Sequence, residues 1–118
     1  MKEIKGRCFE FSLSIIKYIQ SIEIKRLYYS IFDQLLRSST SIGANVIEGK
    51  SAHSKKDFIK YYEIALKSAN ETKYWLMLIE KGIKINEKPV KKLCTEADEI
   101  SKILAAIIIK TKSNKKIF

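Results

Sequence analysis

Apolar residues along this chain recur at steps of three and four, the spacing that lines one side of an α-helix. Cys8, Phe11, Ile15, Tyr18 and Ile22 form a first stripe, and Leu27, Ile31, Leu35, Ile42 and Val46 a second. The third is the most regular, through Phe58, Tyr62, Ala65, Ala69, Thr72, Leu76 and Ile79. Leu93, Ala97, Ile100, Leu104 and Ile107 give a fourth. Such heptad-like intervals suit helices packed at shallow angles, so the pattern predicts an all-α, up-down-up-down, left-handed four-helix bundle. Trp75, Met77 and Leu78 widen the third stripe, and Ile103, Ile108 and Ile109 widen the fourth. That surplus apolar surface predicts self-association.

The predicted boundaries follow from local signals. Ser54, three residues before Asp57, is placed to cap the third helix, with Gly49 and the polar run to His53 as the turn before it. Gly82 is placed to end that helix, and Pro89 suits the first turn of the next. Between the first two helices neither glycine nor proline enforces a break. A short turn near Ser21 to Ile24 is preferred, because one helix from Arg7 to Glu48 would need an extended partner. The bundle is expected over residues 1–112, and residues 113–118 as a flexible basic tail.

The segment from Arg37 to Gly49 departs from ordinary helix composition. Gly43 costs about 1 kcal/mol in a helix interior relative to alanine, and close approach of a neighbouring helix is a reason to bear that cost. Arg37, Ser41, Asn45 and Glu48 fall on one side of the same helix, where they could hold a polar network within or between subunits.

Composition supports a folded helical domain: 46% of residues are hydrophobic, 31% are charged, and one is proline. The formal net charge of +10 favours nucleic acid or another anionic surface as a partner, although it also serves solubility. Lys50, Lys55, Lys56, Lys60, Lys110, Lys112, Lys115 and Lys116 are the candidate phosphate contacts. The last nine residues read as a mobile basic arm. Tyr28, Tyr29, Tyr61, Tyr62 and Tyr74 could stack on bases, but their spacing argues first for packing. No 18-residue apolar run is present, so neither a membrane span nor a signal peptide is expected and a cytoplasmic location is the default.

The chemistry of catalysis is poorly represented. His53 is the single histidine and stands in a predicted turn, and no Glu-x-x-His pair or glycine-rich phosphate loop occurs. Cys8 and Cys94 fit buried thiols better than a disulfide or metal site. Glu48 and Glu71, on adjacent predicted helices, could form an acid–base pair, but hydrogen bonding within a basic bundle suits them better. Neither enzymatic activity nor a cofactor is expected.

Ser41-Ile42-Gly43-Ala44-Asn45-Val46-Ile47-Glu48-Gly49, with Arg37 four residues ahead, resembles the Ser-Ile-x-x-Asn-Ile-Ala-Glu-Gly signature of a known family. These are the small four-helix-bundle proteins encoded by intervening sequences in bacterial 23S ribosomal RNA genes. Asp57 to Glu71 resembles the family's second segment through Phe58, Ala65, Ser68 and Glu71. Two departures stand out: Ile47 where alanine is usual, with a possible effect on the second-to-third helix contact, and Lys67 where glycine is frequent. The resemblance implies assembly as a homopentameric ring. Similar basic pentamers accompany diversity-generating retroelements, which implies nucleic acid and a reverse transcriptase as partners.

Together these readings predict a non-catalytic homo-oligomer that binds RNA or DNA phosphates through surface lysines. Arg37, Ser41, Asn45, Glu48, Ser68 and Glu71 would organise the bundle or its subunit interface. The rival reading is an oligomeric protein-interaction scaffold that does not bind nucleic acid.

Overall fold

The computed structural model describes residues 3–114, which form four long helices: α1 (Ile4–Ser21), α2 (Tyr29–Lys50), α3 (Lys55–Leu78) and α4 (Glu87–Ser113). Successive helices run antiparallel, and α1 closes the bundle against α4. The result is a rod with extents of 50 × 23 × 20 Å. No strand occurs among the described residues.

The apolar stripes converge on one core. Cys8, Phe11, Ile15 and Tyr18 of α1 meet Phe32, Leu35, Ile42 and Val46 of α2, and Tyr62, Ala65, Ala69 and Leu76 of α3 meet Val90, Leu93, Ala97, Ile100 and Leu104 of α4. Leu27 is the exception at 79% exposed. It lies in a 3-10 turn over Arg26–Tyr28 that precedes α2, so the helical spacing does not extend back to it; Phe32 takes the buried place instead. On α4, Ile108 is buried, Ile107 is partly buried and Ile109 faces solvent.

Two connections match their signals. The first helix ends at Ser21, and Ser54 caps α3 by accepting the Asp57 backbone N–H at 3.1 Å. Two others are made differently. Gly49 lies inside α2 and is buried; a Cβ there would sit 2.7 Å from the Tyr62 ring, so this glycine admits an aromatic side chain rather than making a turn. The close of α3 is a π-helical turn over Ile79–Ile83, ended by Lys84 in the left-handed region at φ 60°, whose N–H donates to the Ile79 carbonyl at 2.8 Å. Gly82 meets nothing that a side chain would disturb. Helix α4 continues through Ser113, with Thr111 buried and donating to the Ile107 carbonyl, so Lys110 and Lys112 are helical residues rather than part of an arm. Lys115 and Lys116 lie outside the described residues.

Candidate nucleic-acid interface

Antiparallel topology brings the C-terminus of α2, the N-terminus of α3 and the C-terminus of α4 to the same end of the rod. Six of the eight lysines singled out from sequence, Lys50, Lys55, Lys56, Lys60, Lys110 and Lys112, gather there. Contacts tie the cluster together. Lys55 Nζ donates to the Lys112 carbonyl at 3.4 Å, Lys112 Nζ reaches Glu63 at 3.1 Å, and Lys50 pairs with Glu3 at the start of α1. That pairing holds the Glu3 carboxyl below its usual range, first through the hydrogen bond and then through the nearby charge. Lys60 Nζ stands 5.4 Å from the centre of the Tyr61 ring. Lys56 and Lys110 are exposed. Flexible, hydrated ammonium groups at this end can meet phosphates without reading bases. Of the tyrosines, Tyr62 is buried against Phe58, their rings stacked at 4.2 Å, while Tyr29 and Tyr74 face solvent.

The polar residues of α2 divide into two groups. Asn45 Nδ2 donates to Ser41 Oγ at 3.0 Å, and Ser68 Oγ lies 3.1 Å from the same oxygen, so Ser41, Asn45 and Ser68 do form a network across α2 and α3. Arg37, Glu48 and Glu71 stay outside it. Arg37 is exposed and pairs with Asp33 one turn away; Glu48 faces solvent; Glu71 accepts from the Trp75 indole N–H at 3.0 Å. Sequence reading missed the deeper pair. Thr72 Oγ1 lies 2.9 Å from Ser38 Oγ and 2.8 Å from the Ser68 carbonyl, in a buried site. Its signal was present, since Thr72 belongs to the third apolar stripe and Ser38 stands one turn after Leu35. Also missed was the clamp from Arg7 to Glu96 and Glu99, each at 2.7 Å, which joins α1 to α4. Residues so far apart in sequence leave no periodic trace.

Gly43 behaves as its composition suggested: a Cβ there would stand 3.3 Å from the Cys8 Cβ, so the missing side chain lets α1 and α2 approach. Outside this contact runs an apolar groove of about 760 Å³ lined by Phe9, Leu13, Thr40, Ala44 and Ile47, among others. Ile47 therefore borders the α1–α2 groove at 48% exposed, and Lys67 is exposed on α3; neither fills a contact between α2 and α3. Burial pushes the Cys8 thiol up to about 11 and raises Cys94, and both cysteines are free. Among the described residues, no cluster of metal-ligating side chains occurs and no helix is long and apolar enough to cross a membrane.

No curated protein matches the chain. Among solved structures, a protein of unknown function from the S23 ribosomal protein family of Bacteroides thetaiotaomicron shares the fold with a TM-score of 0.82. It is 37% identical, over 90% of this chain and 98% of that one. At that identity and coverage, the similarity extends through all four helices. The family described as 23S rRNA-intervening sequence protein matches residues 2–106, and the chain belongs to it.

Proposed function

We propose that this protein is a non-catalytic homo-oligomer that binds RNA or DNA through phosphate contacts. The observation that carries the reading is the gathering of Lys50, Lys55, Lys56, Lys60, Lys110 and Lys112 from three helices onto one end of the rod. A single lysine near a phosphate contributes little, but a cluster attracts a polyanion within about a Debye length and releases its counterions. Self-association has its own support. The groove beside Phe9, Leu13 and Ile47 lies on the α1–α2 flank, whereas Arg37, Glu48 and Glu71 are exposed one turn from the Ser41–Asn45–Ser68 network that joins α2 to α3. Joining two different surfaces head to tail makes a heterologous interface, the kind that closes into a ring. In this reading Arg37, Glu48 and Glu71 act between subunits, and the pentamer implied by the family is the expected closure.

Light scattering of the protein alone and with a structured RNA, between about 50 and 200 mM salt, tests both halves. An oligomer that gains RNA mass at low salt and sheds it as salt rises supports the reading. Replacing Lys55, Lys56 and Lys60 by alanine should weaken binding and flatten the salt dependence by about 0.9 log units per lost duplex contact, with the oligomer intact. An oligomer that takes up no RNA or DNA at any salt selects the protein-scaffold alternative.

A further inference from the structure

The lysine cluster described above accounts for only part of the positive surface. At the opposite end of the rod stand Lys17 near the end of α1, Lys25 and Arg26 in the connection to α2, and Lys81 and Lys84 at the close of α3. Lys88, Lys91 and Lys92 join them from the first turns of α4. These segments meet in space: the Tyr18 hydroxyl donates to the Ile85 carbonyl at 3.0 Å, and Lys17 and Lys92 both border a cleft of about 520 Å³ between α1 and α4. All eight cations are exposed, and no ion pair among the described residues engages any of them. Glu23, Glu80 and Glu87 lie within these segments to oppose them, while Glu96, which lines the same cleft, and Asp33, in the second turn of α2, are engaged by Arg7 and Arg37. The end chosen from sequence is less free, because Lys50 and Lys112 are already paired with Glu3 and Glu63.

Between the two ends the charge cancels. Arg7 is held by Glu96 and Glu99, Arg37 by Asp33, and Lys73 and Lys102 both by Asp98. The rod is 50 Å long and screening at physiological salt acts over about 8 Å, so the two ends act as separate electrostatic sites. A backbone laid along the rod would have to cross the carboxylates of the waist. We infer that the end bearing Lys88, Lys91 and Lys92 is a second, independent phosphate-binding surface, through which the protein bridges two segments of nucleic acid. This rests on the nucleic-acid reading above and adds to it a bridging activity between separate strands or duplexes.

The test uses the full chain and two populations of one short RNA duplex, one carrying a donor dye and the other an acceptor. Wild-type protein at about 50 mM salt should bind either duplex and bring the two into energy transfer. Because an oligomer repeats each surface in every subunit, the deciding readout is the number of duplexes bound at saturation. The variant with Lys88→Ala, Lys91→Ala and Lys92→Ala should still bind duplex through Lys55, Lys56 and Lys60 but take up about half as many per subunit. The variant with Lys55→Ala, Lys56→Ala and Lys60→Ala should likewise bind duplex through the other end at about half the wild-type stoichiometry. Circular dichroism melts on both variants establish that the helices persist. Should the first variant fail to fold, Lys91→Gln with Lys92→Gln supplies the same readout. Unchanged stoichiometry and unchanged affinity after loss of Lys88, Lys91 and Lys92 would overturn the second site while leaving the first standing. Failure of the wild type to bind either duplex would defeat the nucleic-acid reading and the bridging inference together.

Discussion

Small side chains on α2 decide how closely its neighbours approach. Gly49 and Tyr62 are fitted as a pair: the ring occupies the space where any other residue would place its Cβ, at 2.7 Å. Gly49→Ala must displace a buried aromatic ring, so despite its better helix propensity it should lose about 1–3 kcal/mol and lower Tm by several degrees in a thermal melt. Retained Tm would mean that the ring has room to move. Buried ionisable groups give a second prediction at this scale. Burial pushes Cys8 from 9.0 to about 11, and burial leads the rise of Tyr18 and Tyr62 from 10.0 to about 12. In each case the folded protein favours the protonated form. This contribution is complete below about pH 9, and it is lost as the pH climbs through the range where the unfolded chain has already ionised. Thermal melts should therefore hold steady from neutral pH to about 9 and fall above it. In an ultraviolet titration, Tyr18 and Tyr62 should ionise above the ordinary tyrosine range, together with the loss of helix.

At the scale of the element, periodicity was legible and termini were less so. A stripe spread over about four or more turns averages out single exceptions, which is why all four helices and most of their buried residues could be read directly. A terminus depends on a few atoms. Ser54 was readable because a hydroxyl three residues before Asp57 has one obvious partner, the N–H that it accepts at 3.1 Å. Ser54→Ala should cost about 1 kcal/mol, seen as a lower Tm with unchanged helical content at low temperature. The close of α3 was not readable, since Lys84 rather than Gly82 adopts the left-handed conformation and composition favours the glycine for that role. Gly49 misled for the opposite reason: glycine signals both turns and close packing, and only the position of Tyr62 separates the two. Leu27 kept the helical spacing but fell in the turn before the helix began.

On the scale of the whole molecule, the lysines named from sequence read as positive charge spread over several surfaces, and it is the chain reversals, which put the α2, α3 and α4 termini together, that gather six of them at one end. The other basic end was not legible, although Lys88, Lys91 and Lys92 fall within five residues, because its eight cations come from four segments that only the folded chain brings together. The polar network was legible only where partners lie one turn apart, as for Ser41 and Asn45, or share a matched segment, as for Ser68. Assembly is the property that one copy of the chain leaves most exposed to test. Phe9 at 63% and Ile47 at 48% exposure border the α1–α2 groove, and burying them against a neighbour recovers surface that a lone bundle leaves in water. Because both already face solvent, Phe9→Glu with Ile47→Glu should cost the single bundle little. In an interface the same carboxylates would be desolvated without partners, a penalty of several kcal/mol per subunit. The mass should then fall toward the 13.7 kDa of one chain while the helical signal survives. An undiminished mass would place the contact elsewhere, with exposed Arg37, Glu48 and Glu71 as the residues to alter next.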